Sequence, residues 1–328
     1  MKSASKQRQL ALTDAQRALQ RGDWRCAARE LEQAAEMARI DGDAMRAAHC
    51  LQMAAALHRA RGAGVEALAA ASRASKVAGR DPRARFAASA ELGEALFAQG
   101  QFERAAAAYR QTLATADAIG LPGWARATVL RRLAEADAGR GALAEAWHGY
   151  DAAAQEMVRA SDALAAAWIH VEHGNRAREA GALEHAWQLV GRPGLLLLAG
   201  EEPHLASERL LLVARLALAN GRFAEAAESA RLARARALEA VAPLSYYAAA
   251  VALAEAFEGM GRHTDAYAAL ATAWATLGDV LGREVAESWV APILEAYRMK
   301  WGGEGFATAK AQHDARRKAA IRSAREAG

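Results

Sequence analysis

Long apolar runs, cysteine pairs and proline are all scarce in this 328-residue chain, and each scarcity excludes something. The longest purely aliphatic run is Leu195 to Leu198, far below the roughly 20 residues that a helix needs to cross a bilayer, so no membrane partner is expected. Cys26 and Cys50 are the only cysteines, and their spacing fits neither a zinc site nor a disulfide framework. Six prolines leave most of the chain free to be helical, and no stretch alternates as a strand does. No Gly-rich phosphate loop with its lysine, no G-x-S-x-G elbow and no H-E-x-x-H pair is present. An enzyme is therefore not expected, nor a cofactor. The polar start, Met1 to Gln9 with Lys2, Lys6 and Arg8, has no apolar core of signal-peptide length, so the expected location is the cytoplasm, in a bacterium.

Charge of one sign is also missing from most of the chain. The net charge is +4, but Lys310, Arg316, Arg317, Lys318, Arg322 and Arg325 stand against only Asp314 and Glu326 in the last nineteen residues. The rest is neutral. Nucleic-acid binding through this basic C-terminal helix is the alternative function, and the absence of aromatic residues among those cations argues against it.

What the sequence has in abundance is alanine, more than a quarter of all residues, and glycine at an even spacing. Gly22, Gly62, Gly100, Gly141, Gly181, Gly221, Gly261 and Gly302 follow one another at 40, 38, 41, 40, 40, 40 and 41 residues. Five residues after each stands an alanine: Ala27, Ala67, Ala105, Ala146, Ala186, Ala226, Ala266 and Ala307. In five repeats a large side chain (Trp24, Phe102, Leu143, Leu183, Phe223) comes two residues after the glycine; the second repeat has Gly64 there and the seventh His263. A left-handed glycine turn between two helices, then a large and a small residue three apart on one face of the second, is a helical hairpin. The large residue is placed to plug the hairpin and the alanine to let backbones approach. One hairpin cannot bury its apolar face alone, so the hairpins must stack.

The third repeat, with Leu92, Gly93, Leu96, Gly100, Phe102, Ala105, Tyr109 and Thr112, resembles the tetratricopeptide repeat, in the variant of about forty residues found in kinesin light chains and in bacterial maltose-regulator-type sensor domains. The resemblance implies an all-α fold, an α-solenoid in which seven to eight hairpins wind into a right-handed superhelix. One continuous array is expected over 1–300, with a turn at Gly302 to Gly305 and a basic capping helix over 301–328. Joints between hairpins are expected at Asp41 to Asp43, Gly79 to Pro82, Gly120 to Gly123, Ser161 to Asp162, Gly200 to Pro203, Ala242 to Pro243 and Gly278 to Gly282. Gly191, Arg192, Pro193 and Gly194 should break a helix in the fifth hairpin, either as a hinge or as a repacking that keeps the next four leucines buried.

The resemblance also implies a function: a scaffold or adaptor, in signalling or regulation, holding a partner protein or extended peptide in the concave groove lined by the first helices. Carried over by register, the groove residues are Arg59, Glu94, Arg131, Glu135, Trp168, Asn175, Arg178 and Arg215. Trp168 supplies an aromatic anchor and the arginines suit a carboxylate. His170 and His173, three apart with His185 beyond the turn, have the spacing to begin a metal site, but their register points to two partly buried, hydrogen-bonded histidines that pack between helices.

Overall fold

A computed structural model describes residues 2–326. Those residues are helical almost throughout, in an α-solenoid of hairpins. The first five hairpins are α1 (Lys2–Gln20) with α2 (Trp24–Ile40), α3 (Ala44–Ala60) with α4 (Gly64–Val77), α5 (Pro82–Ala98) with α6 (Phe102–Ile119), α7 (Gly123–Gly139) with α8 (Leu143–Arg159), and α9 (Ala163–Glu179) with α10 (Leu183–Val190). After α11 (Pro193–Glu201) come α12 (Pro203–Ala219) with α13 (Phe223–Glu239) and α14 (Pro243–Gly259) with α15 (His263–Leu281). The last element, α16 (Arg283–Glu326), is two helical segments that meet at a kink at Gly302. Gly303 to Gly305 are helical, so the expected four-residue turn is a single residue. Gly278 likewise lies inside α15, and only Gly282 forms that joint.

The chain divides into two compact units, Met1–Ile169 and His170–Gly328. In the first, each helix packs on the next from α1 to α8, and α3 also packs on α5; in the second, α12, α13, α14, α15 and α16 follow one another and α12 touches α14. Alanine makes this spacing possible. Ala27, Ala67, Ala105, Ala146, Ala186, Ala226 and Ala266 are all buried, whereas Ala307 is exposed, so the eighth glycine lacks the packing of the other seven.

All eight turn glycines have positive φ. At seven of them the next residue donates its N–H to a carbonyl five residues back, as Gln101 does to Leu96 and Arg262 to Phe257. This is the six-to-one bond of a Schellman end. The joints repeat the device about twenty residues later. Asp43 bonds Ala38 across Gly42, and Leu121 bonds Ala116 across Gly120. Two joints manage it without glycine, at Ser161 (φ 61°) and Val241 (φ 52°).

The large residue two positions after the turn does more than plug its own hairpin. The Phe102 ring meets Phe97 of α5 edge-on at 5.3 Å and also covers Gly139 of the next hairpin. Phe223 covers Gly259 in the same way. Where the repeat has Gly64, the side chain of Gln99 from the next hairpin fills the space and donates to the Gly64 carbonyl. His263 stacks on Trp301, with centroids 4.5 Å apart. Trp24, by contrast, is 44% exposed and plugs little.

The fifth hairpin breaks as expected, between Val190 and Pro193. Arg209 of α12 donates to the free Val190 carbonyl at 2.9 Å, and Arg192 lies 3.0 Å from His170. The break is thus held by two guanidinium groups. The leucines that follow are divided: Leu195 is buried, but Leu196 and Leu197 are exposed.

Candidate functional site

Helical period puts residues three, four and seven apart on one stripe, and the first helices carry the residues that the repeat register nominates. In the first unit the structure gathers four of them into one ladder of ion pairs. Arg59 of α3 reaches Glu91 of α5 at 3.2 Å and Glu94 at 3.8 Å. Glu94 receives Arg132 of α7 at 2.9 Å and the Tyr109 hydroxyl at 2.9 Å. Arg132 and Arg131 each approach Glu135 at 2.7 Å. Arg59, Glu94, Arg131 and Glu135 are therefore partners of one another across three successive hairpins. Trp168, half-buried on α9, belongs to the same unit.

Two members of this ladder, Glu91 and Arg132, lie outside the register pattern. Glu91 stands one helical turn before Glu94, a spacing that marks the same face. Arg132 neighbours Arg131 and reaches the ladder only because its long side chain can run sideways. Burial pushes the Glu91 carboxyl above the ordinary range against the pull of Arg59. Burial also raises the Tyr109 phenol, reinforced by Glu94. For Arg132 burial acts downwards, but Glu135 and Glu94 outweigh it and raise the group.

The second unit contains Asn175, Arg178 and Arg215, and here the charges are not closed. Asn175 donates back to the Val171 carbonyl at 3.2 Å. Arg178 touches Glu179 at 3.4 Å, while its Nε is buried without a hydrogen-bond partner. The half-buried Arg215 makes no hydrogen bond or ion pair among the described residues. Burial, followed by the nearby Arg178 cation, holds Arg215 below the usual arginine range against the opposing pull of Glu208, Glu255 and Glu179, which lie near it without forming an ion pair. Arg178 and Arg215 are thus two neighbouring guanidinium groups with donor capacity left over, set among Glu179, Glu208 and Glu255, and an incoming carboxylate would use those donors.

His170 and His173 are both at least partly buried, and each is held by a hydrogen-bonding contact with another residue. His173, fully buried, shares a 2.9 Å contact with His185 between their Nε2 atoms, while His170 meets Arg192. At the C-terminus Arg316 pairs with Asp265 at 2.8 Å. Lys310, Arg317, Lys318 and Arg322 are exposed and unpaired among the described residues; the side chains of Arg325 and Glu326 lie outside them.

Stacked hairpins of this period have a counterpart among solved structures. Over 85% of its length the chain is similar to 44% of a signal transduction ATPase with numerous domains that carries a tetratricopeptide repeat sensor, from Pyrococcus horikoshii, with a TM-score of 0.62 and 15% identity. The chain has the tetratricopeptide-repeat fold. It spans less than half the length of that ATPase. Other similar structures include BtubC from P. vanneervenii, with 14% identity over 85% of this chain and 92% of that one at a TM-score of 0.45. A tetratricopeptide repeat protein from Parabacteroides merdae ATCC 43184 is also similar, with 13% identity over 93% and 97% of the two chains and a TM-score of 0.43. No protein-family model and no curated protein matches the sequence. Among the described residues no helix is long and apolar enough to cross a membrane.

Proposed function

We infer that this chain is a non-enzymatic adaptor whose first helices receive an extended, acid-bearing segment of a partner protein. The observation that carries this reading is Arg215, half-buried without an ion pair beside Arg178, whose Nε is buried and unsatisfied. Keeping two guanidinium groups desolvated and incompletely paired is costly in the free protein. A carboxylate bonded to both would offset that cost, and arginine forks bind carboxylates in two-point geometry. The first unit contributes differently. Its stripe is already internally paired, which favours shape and the half-buried Trp168 over net charge as the basis of recognition there.

The test is co-purification from native cells at moderate salt, wild type beside Arg178→Glu and Arg215→Gln, with circular dichroism to confirm the fold. A partner retained by the wild type and lost by both variants supports the reading. Equal recovery by all three overturns it.

The four exposed, unpaired cations between Lys310 and Arg322 favour a second reading, contact with nucleic-acid phosphates. Truncation after Ala309 tests it by anisotropy with labelled DNA and RNA. Salt-sensitive binding that the truncation removes supports it, and no such binding rejects it.

A further inference from the structure

One pair of register positions recurs between neighbouring hairpins of the first unit: the residue ten after a turn glycine faces the residue four before the next. Glu32 meets His58 Nε2 at 3.0 Å, and Arg61 donates to His58 Nδ1. Arg110 meets the buried Asp137 at 2.9 Å, and Arg140 joins it at 2.8 Å. Each set closes a polar triad between a second helix and the following first helix. In hairpins six and seven the same three positions hold Arg231, Phe257 and Met260. Arg231 corresponds to Glu32 and Arg110, whereas Phe257 and Met260 replace the polar His58 or Asp137 and the arginine, Arg61 or Arg140, that completes each triad.

A groove of about 470 Å³ lies there, between α13 and α15. Leu253, Phe257 and Met260 line it together with Arg231, Arg234 and Arg262 and the carboxylates Glu228 and Asp265. Two of the arginines have carboxylate partners within the protein. Arg231 bonds Glu228 at 2.6 Å, and Arg262 bonds Asp265 at 2.7 Å while lying 4.7 Å over the Phe257 ring. Arg234, half-buried, has no hydrogen bond or ion pair among the described residues. Asp265 also holds Arg316, at 2.8 Å, and Arg234 is the one arginine lining the groove that has no carboxylate partner among the described residues.

We propose that this groove binds a small amphiphilic monocarboxylate, a medium-chain fatty acid in its simplest form. Its aliphatic body lies on Phe257 and Met260 and its carboxylate pairs with Arg234. One free guanidinium calls for one anion, and its planar fork matches a carboxylate. The volume is in the range of small-molecule sites, roughly 300–1,000 Å³. This site is lined by α13, α15 and residues of α14 and its turn, none of which belongs to the first-helix reading above, so it is independent of that reading.

The test uses the full chain and octanoate carrying ¹³C at its carboxyl carbon, followed by NMR and calorimetry at low salt. Wild type is expected to bind octanoate saturably, at least tenfold more tightly than octanamide, which lacks the charge, or acetate, which lacks the body. Arg234→Gln should weaken octanoate at least tenfold. Ala268→Leu, which narrows the groove without touching Arg234, should weaken it comparably, with helical circular dichroism unchanged in both variants. Absence of saturation, equal affinity for octanamide, or wild-type affinity in Arg234→Gln overturns the proposal.

Discussion

The ring of Phe102 occupies the place where Gly139 would put a side chain: a Cβ on Gly139 would stand 2.7 Å from the ring. The contact links two successive hairpins, so the large residue of one and the small residue of the next form a matched pair. Gly139→Ala gains helix propensity of about 1 kcal/mol, but it forces the ring aside, an overpacking worth roughly 1–3 kcal/mol. The expected outcome is a net loss of about 1 kcal/mol in urea unfolding, recovered when Phe102→Leu is added. Gly278 supplies the contrast. It lies within α15 with no atom within 4 Å of a Cβ position, so Gly278→Ala should stabilise by about 1 kcal/mol.

Val241 is a β-branched residue held at φ 52° with 78% of its surface exposed. It occupies the joint position that Gly42 and Gly120 fill elsewhere. The left-handed conformation costs roughly 1–2 kcal/mol in a residue with a Cβ, and little packing is lost with this side chain. Val241→Gly should raise stability by about 1 kcal/mol after the glycine entropy cost, read as a higher melting temperature. A lower melting temperature would show that the side chain is buried in a way the structure does not have.

The register alanines give a third test. Ala146 is completely buried, so Ala146→Leu should cost roughly 1–3 kcal/mol by overpacking. The same change at the exposed Ala307 should be close to neutral. Equal melting of the two variants would mean that the eighth glycine belongs to a full repeat after all.

The sequence made the hairpins legible because a turn glycine and a buried alanine both answer to backbone geometry, which repeats every forty residues. The joints at half that period were visible too, at Gly42, Gly120 and Ser161 and one residue late at Ala242; what stayed hidden was the left-handed backbone of Ser161 and Val241, which the residues themselves disfavour. Gln99 filling the space above Gly64 was equally hidden, since the compensating side chain comes from another hairpin. Half of the candidate groove residues could be placed on helices but not in their environment. Arg59, Glu94, Arg131 and Glu135 are spaced like any groove residues, yet long side chains from three helices let them satisfy one another. Register says which face a residue is on. It does not say whether its charge is already matched.

Glu91 connects that ladder to pH. Its carboxyl is raised by burial, so the folded protein holds this proton more tightly than the unfolded chain does. Stability from this group is complete below the ordinary carboxylate range and is lost as pH rises through the raised value. The melting temperature of wild type relative to Glu91→Gln should therefore fall as pH increases through that interval and then level off. The opposite slope would mean that Arg59 dominates over burial.

The central claim is that a partner lies along the first helices of the second unit, and site-specific photocross-linking in native cells tests it most directly. A photoreactive residue replaces Glu208, on the first-helix stripe of α12, or Leu232, exposed on the second helix α13. The account predicts a cross-linked protein from position 208, absent when Arg215→Gln is added, and none from position 232. A partner captured from position 232 alone would contradict it.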